Sequence, residues 1–185
     1  MKAIILSALE EETKSLETHL DIIVTGVGKI NATYTVTKAL RDSRPDLIIN
    51  FGTAGSLKKE ISGLVDCKYF IQRDMDSRPL GFELGETPFE SDPQLIIEAP
   101  ENPINTINKN LICASGDSFV QSDIGFKADV VDMEAYAIAK VCYLESTPFA
   151  CFKFISDFAD ESAANDFSGN VLKAGRTFSR YLESL

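Results

Sequence analysis

Short apolar runs closed by glycine, serine or acidic residues alternate along this chain with stretches of helical period, the pattern of successive βαβ units. Residues 3–8 predict a buried strand. Residues 10–20 predict a short amphipathic helix opened by Glu10, Glu11 and Glu12, acids that suit a helix N-terminus. A second strand, 21–25, runs into Gly26-Val27-Gly28, and a helix over 29–42 is stopped by Ser43-Arg44-Pro45. A third, fully apolar strand at 47–51 ends in what reads as a turn, Gly52-Thr53-Ala54-Gly55. The middle, 58–110, holds five of the seven prolines and a strand at 65–71. Regular structure resumes at 111–114, with a strand at 129–132, a helix at 133–145, a strand at 149–155 and a last helix at about 165–184. There are no internal repeats. The expectation is one α/β domain, residues 1–185, with an open, mostly parallel or mixed central sheet flanked by helices.

Composition narrows the function classes. The chain has 185 residues, with 18 Lys+Arg against 28 Asp+Glu and a formal net charge of −10. No Lys/Arg run of five or more occurs, so general nucleic-acid binding, which needs clustered cations, is not expected. Cys67, Cys113, Cys142 and Cys151 have no C-x-x-C spacing and read as small buried hydrophobes in a reducing compartment. His19 is the single histidine, which argues against a His-based zinc site and against Ser-His-Asp or Cys-His catalysis. It reads as a surface residue near a helix end. The N-terminal apolar run is far too short to span a bilayer and lacks a signal-peptide pattern, so a cytoplasmic protein without membrane contact is expected.

Sheets of this kind bind ligands outside the carboxyl ends of their strands, so the residues just beyond each strand matter most. Glu10, Glu11 and Glu12 come after the first, Asp132-Met133-Glu134 after the strand at 129–132, and Ser156-Asp157 after the last. Three strands thus deliver carboxylates to one edge, where close acids drive each other's protonation apart. The alternative use of each acid is as a helix cap. Gly26-Val27-Gly28-Lys29-Ile30-Asn31 imitates a dinucleotide loop but has Asn31 where a small residue is needed. Its acid about twenty residues on, Asp46, stands before rather than after the next strand.

Taken together, these segments resemble the nucleoside phosphorylase/nucleosidase superfamily, specifically the 5′-methylthioadenosine/S-adenosylhomocysteine nucleosidases. The matching stretches, in the family's order, are Ala8 to Glu12, Thr25 to Ala32, Asn50 to Leu57, Ser115 to Val120, Val131 to Ala135 and Ile155 to Asp160. The resemblance implies that Glu12 deprotonates the attacking water and that Asp157, supported by Ser156, protonates purine N7 and is itself protonated when substrate binds. It implies that Glu134 binds the ribose hydroxyls with Met133 against the sugar. Phe119 would stack on the base, Val120 would contact its edge, and the segment Gly52, Thr53, Ala54 and Gly55 would lie under the ribose and water. No cofactor and no metal are implied. Lys153 stands where many members carry an arginine, and it would bind the water without the planar fork. The stretch 73–82 resembles the loop that crosses to a partner subunit, implying a homodimer with Leu80 and Pro88 walling the neighbour's 5′ pocket. Arg78 beside that pocket could favour a carboxylate-bearing tail, or be a solvated loop residue. The run 91–110 is proline-broken where the family usually has a helix, so a trimmed periphery is expected.

The chemistry fits those residue types. Breaking an N-glycosidic bond builds positive charge on the sugar, which carboxylates stabilise, and a protonated purine leaves neutral. The third strand brings no arginine to hold phosphate, and Glu12 would oppose it, so water is the expected nucleophile. Three alternatives stay open: a nucleosidase for another 5′-modified nucleoside such as aminofutalosine, a phosphate-dependent phosphorylase, or a nucleoside-binding sensor without turnover.

Overall fold

The computed structural model describes residues 1–90, 95–121, 124–159 and 163–185, with the side chains of 163–169 excepted. Ser91 to Gln94, expected in the proline-broken stretch, and Asp160 of the last family-like segment lie outside the described residues. The strands are β1 (Ala3–Ser7), β2 (Asp21–Val24), β3 (Leu47–Ser56), β4 (Leu64–Gln72), β5 (Ile97–Glu98), β6 (Leu111–Ser115), β7 (Val130–Asp132) and β8 (Phe149–Asp157). The helices are α1 (Glu10–Thr13), α2 (Lys29–Ser43), α3 (Ala135–Leu144) and α4 (Ala163–Glu183).

All eight strands join one mixed sheet. β3 lies parallel between β1 and β8 along its first half, because its Leu, Ile and Phe side chains are buried on both faces. Its far end pairs antiparallel with β7 through Gly55 and Ser56. β8 in turn pairs antiparallel with β4, β4 parallel with β6, and β6 parallel with β7. These pairings close a ring, β3-β8-β4-β6-β7, with β1, β2 and β5 extending from it. The mixed sheet agrees with the sequence reading. Its openness does not: five strands close into the ring, and β2 and β5 are left as the edges.

Two apolar layers cover the sheet. On one side α2 and α3 bury Val36, Ile138, Ala139 and Cys142 against β1, β3 and β4. On the other, α4 lays Phe178 over Phe51, ring centroids 4.2 Å apart and stacked, with Phe152 beside it. All four cysteines are buried and free. α2 ends where Arg44 turns into the left-handed region at φ 46°, its N–H reaching Leu40 O just before Pro45.

Two expected elements differ. The helix over 10–20 is a single turn, Glu10–Thr13. The chain after it is held by α4: Ser15 Oγ donates to Leu172 O, and the Glu17 N–H donates to Ser179 Oγ. His19 is exposed, in the connection to β2 rather than at a helix end. Gly52-Thr53-Ala54-Gly55 is strand, not turn, and β3 runs through it to Ser56. Among the described residues no helix is long and apolar enough to cross a membrane.

Candidate active site

β1, β3, β7 and β8 end around one cavity of about 260 Å³. Glu12, Thr53, Ala54, Gly55, Phe119, Val120, Met133, Glu134, Ser156 and Asp157 line it, joined by Ala8, Leu9, Val27, Ser118, Val131 and Asp132. The ionisable side chains in this lining are all acids. Lys153, Leu80 and Pro88 are not part of it.

Glu12 is 3% exposed and comes off the single turn after β1. Ser7 Oγ and the Leu9 N–H donate to its Oε2 at 2.8 and 3.1 Å, while the N–H and Oγ1 of Thr53 both donate to Oε1 at 2.7 Å. All four partners are donors, the set a carboxylate accepts. The carboxylate lies against Gly52, where a Cβ would stand 3.0 Å from Oε1. Gly52 is therefore glycine for space, not for turn geometry.

Asp157 is placed by an irregularity. The β3–β8 register runs evenly to Ala54↔Ile155 and then skips to Gly55↔Asp157, so Ser156 is the extra residue of a bulge. Bulges of this kind re-aim side chains beside functional sites. Asp157 is 6% exposed; Ser156 Oγ donates to its Oδ2 at 2.7 Å and the Ala159 N–H to its Oδ1 at 2.9 Å. A Cβ at position 55 would sit 2.7 Å from Oδ1. The two glycines of β3 thus make room for two carboxylates, one from α1 and one from β8.

Glu134, 7% exposed, accepts the Gly28 N–H at 2.7 Å. Burial first, and the Asp132 charge second, push its carboxyl up to about 7. Phe119 is half exposed at the cavity's mouth. Its loop is braced by Arg73, whose guanidinium donates to Gly116 O, Ser118 O and Ser118 Oγ. Lys29 bridges the same loop through Asp74 and Asp117.

One expectation needs correction, and one open alternative is narrowed. Lys153 was expected to hold the water, but it is buried away from the lining, with Nζ 2.8 Å from Asp132 Oδ2. Burial opposes the charge on both residues, yet each keeps the other ionised: Asp132 is held below the usual carboxylate range and Lys153 above the usual ammonium range. The signal was in the sequence, since a lone lysine inside the apolar run Phe149 to Ile155 needs a buried partner. Arg78 is tied to its own loop, donating Nε and Nη2 to the two oxygens of Asp76 and holding that carboxyl down at about 2. It is an exposed loop arginine, the second of the two readings that its place in the sequence left open. Leu80 is exposed and Pro88 half-buried, both outside the cavity. Ser7 and the Gly28 N–H, which hold two of the acids, were not singled out as site residues. Among the described residues no group of three or more His, Cys, Asp or Glu is arranged to hold a metal ion.

Comparison with known proteins gives a consistent answer. Residues 12–185 match the family model described as the phosphorylase superfamily. A 5′-methylthioadenosine/S-adenosylhomocysteine nucleosidase of Staphylococcus saprophyticus is 34% identical over 184 residues, covering 89% of this chain and 81% of that protein. Among solved structures, a Helicobacter pylori nucleosidase mutant of that same kind, with 5′-methylthioadenosine in its active site, superposes with TM-score 0.87 at 26% identity, covering 99% of this chain and 96% of that one. Futalosine hydrolase of Helicobacter pylori superposes with TM-score 0.86 at 27% identity, covering 98% and 95%.

Proposed function

The chain belongs to the phosphorylase superfamily, and from that footing we propose that it hydrolyses the N-glycosidic bond of 5′-methylthioadenosine and S-adenosylhomocysteine, releasing adenine and the thioribose. The observation that carries the reading is the pair of glycines in β3, each opened toward one carboxylate of a single cavity: Glu12 over Gly52 and Asp157 over Gly55. Such a pair can work from two places on one bond.

In the proposed reaction, water adds to C1′ and gives a proton to Glu12, whose orientation is fixed by Ser7, Leu9 and Thr53. The C1′–N9 bond breaks, and purine N7 takes a proton from Asp157, so adenine leaves neutral. Solvent then returns the proton from Glu12 to Asp157. Ser156 Oγ also lies 3.4 Å from Ala54 O. With a proton on Asp157 Oδ2, the serine can accept it and donate its own hydrogen to that carbonyl. Glu134 binds the ribose hydroxyls, Met133 packs on the sugar, Phe119 stacks on the base and Val120 contacts its edge. Positive charge developing on the ribose is stabilised by the acidic lining. Phosphate would enter a cavity whose ionisable lining is Glu12, Asp132, Glu134 and Asp157, and that favours water over phosphorolysis.

The reading extends to a cytoplasmic homodimer serving methionine salvage, with Leu80 and Pro88 of each subunit facing the neighbour's 5′ pocket. The alternative substrate, another 5′-modified nucleoside such as aminofutalosine, is favoured by the likeness to a futalosine hydrolase. Chromatography of products from 5′-methylthioadenosine, with and without phosphate, tests the proposal. Adenine and free methylthioribose at a phosphate-independent rate support it. Phosphate-dependent sugar 1-phosphate, or ligand-induced thermal stabilisation with no adenine, overturns it in favour of a phosphorylase or a sensor.

A further inference from the structure

Lys153 projects from β8, 2% exposed, and its Nζ contacts Asp132 Oδ2 at 2.8 Å. Asp132 ends β7 two residues before Glu134, and its Oδ2 also accepts the Ala135 N–H of the first turn of α3. Its Oδ1 accepts from Ser115 Oγ, and that same hydroxyl oxygen accepts the Tyr136 N–H. The ion pair therefore holds the stretch of backbone from which Glu134 reaches the cavity. Resting on the reading of Glu134 as the ligand of the sugar hydroxyls, we propose that Lys153 is a positioning residue acting through Asp132. It cancels the Asp132 charge, so that Glu134 can offer an ionised carboxylate to the nucleoside near neutral pH.

The charges around Glu134 leave this task to Lys153. Asp132 faces Glu134 from β7 and Glu12 from α1, and both favour its protonation; Lys153 of β8 opposes them, together with the Gly28 N–H. Asp157 of β8 lines the same cavity and adds no cation. Lys29, next to Gly28, is committed to Asp74 and Asp117 on the loop side. Removing only Lys153 would leave Asp132 unpaired beside Glu134. Removing both partners would withdraw the larger opposing charge as well.

The test is a pH titration of the Glu134 carboxyl carbon by NMR on glutamate-labelled protein, assigned by its absence in Glu134→Gln. It is paired with the pH dependence of KM for 5′-methylthioadenosine. The wild-type midpoint is expected near 7. Lys153→Met should raise it by about one unit or more, with KM rising at the same higher pH. The double variant Asp132→Asn/Lys153→Met buries no lone charge and so should fold even where Lys153→Met does not. Its midpoint should lie at or below that of wild type. An unmoved midpoint in Lys153→Met, or a raised one in the double variant, overturns the inference alone. A KM limb that persists in Glu134→Gln overturns the reading of Glu134 as sugar ligand and the inference with it.

Discussion

Each proposed catalytic acid is held by a small, nameable set of atoms, so single substitutions should separate chemistry from fold. Glu12→Gln keeps the size of the side chain but cannot take a proton. Its amide would also present hydrogens where Thr53 and Ser7 already donate. Turnover should fall on the order of 10³-fold or more with a smaller change in KM. Asp157→Asn should do the same by removing the acid at N7. Steady-state adenine release beside a thermal melt checks both; wild-type rates in either variant would contradict its assigned role. Gly52→Ala is a subtler probe. Its Cβ would stand 3.0 Å from Glu12 Oε1 and 3.2 Å from Oε2. The carboxylate must shift by a few tenths of an ångström off the Thr53 donors; since a misplacement of about 1 Å can cost roughly 10²-fold in rate, a loss of several-fold up to about 10-fold is expected. A variant with full activity would show that the carboxylate tolerates the shift. The acids themselves were legible in the sequence because carboxylates after strands stand out. Gly52 and Gly55 were legible only as glycines: a turn and a close approach leave the same letter, and only the neighbouring strand distinguishes them.

At the scale of elements, strands and long helices followed from apolar spacing almost residue for residue, as with α2, β4 and α3. What the spacing did not reveal was which segments another element would claim. The apolar and polar alternation over 10–20 is compatible with a helix, yet α4 holds that stretch after one turn through Leu172, Ser179 and Gly175. Tertiary contacts outweigh helix propensity in so short a segment. The same docking fixes the height of Glu12. A Cβ on Gly175 would meet Ser15 Oγ at 2.7 Å and Glu12 O at 3.0 Å. Gly175→Ala gains helix propensity, worth up to about 1 kcal/mol, but pushes α4 away from the turn that carries Glu12, the proposed general base. We expect a lower rate of adenine release, with KM less affected, in a protein whose melting temperature is unchanged or lower. The combination of higher stability and full activity would show that α4 does not set the position of Glu12.

For the whole molecule, the closed sheet gathers acids from the ends of separate strands around one cavity, in a chain already carrying a net charge of −10. Folding must then be linked to protonation in opposite directions. Asp132 is held low by Lys153, so its contribution is present above the unfolded value of about 3.8 and is lost as pH falls below it. Glu134 behaves the other way. Its carboxyl rises from 4.5 in the unfolded chain to about 7, so the folded state is favoured below 4.5 and that advantage is lost as pH climbs through 7. A shift of this size in a side chain only 7% exposed corresponds to about 3 kcal/mol. Glutamine at 134 keeps an acceptor for the Gly28 N–H and does not ionise. The melting temperature of Glu134→Gln relative to wild type should therefore rise by roughly 5–10 °C between pH 4.5 and 8, measured in one buffer series at constant ionic strength. A difference independent of pH would mean that Glu134 ionises in the folded protein as freely as in the unfolded chain. The stability lost above neutrality has a functional counterpart. The ionised Glu134 that costs stability is the form which, in its proposed role, accepts hydrogen bonds from the sugar hydroxyls. Added nucleoside should therefore restore more melting temperature at pH 8 than at pH 5 in wild type, and equal amounts at both in Glu134→Gln.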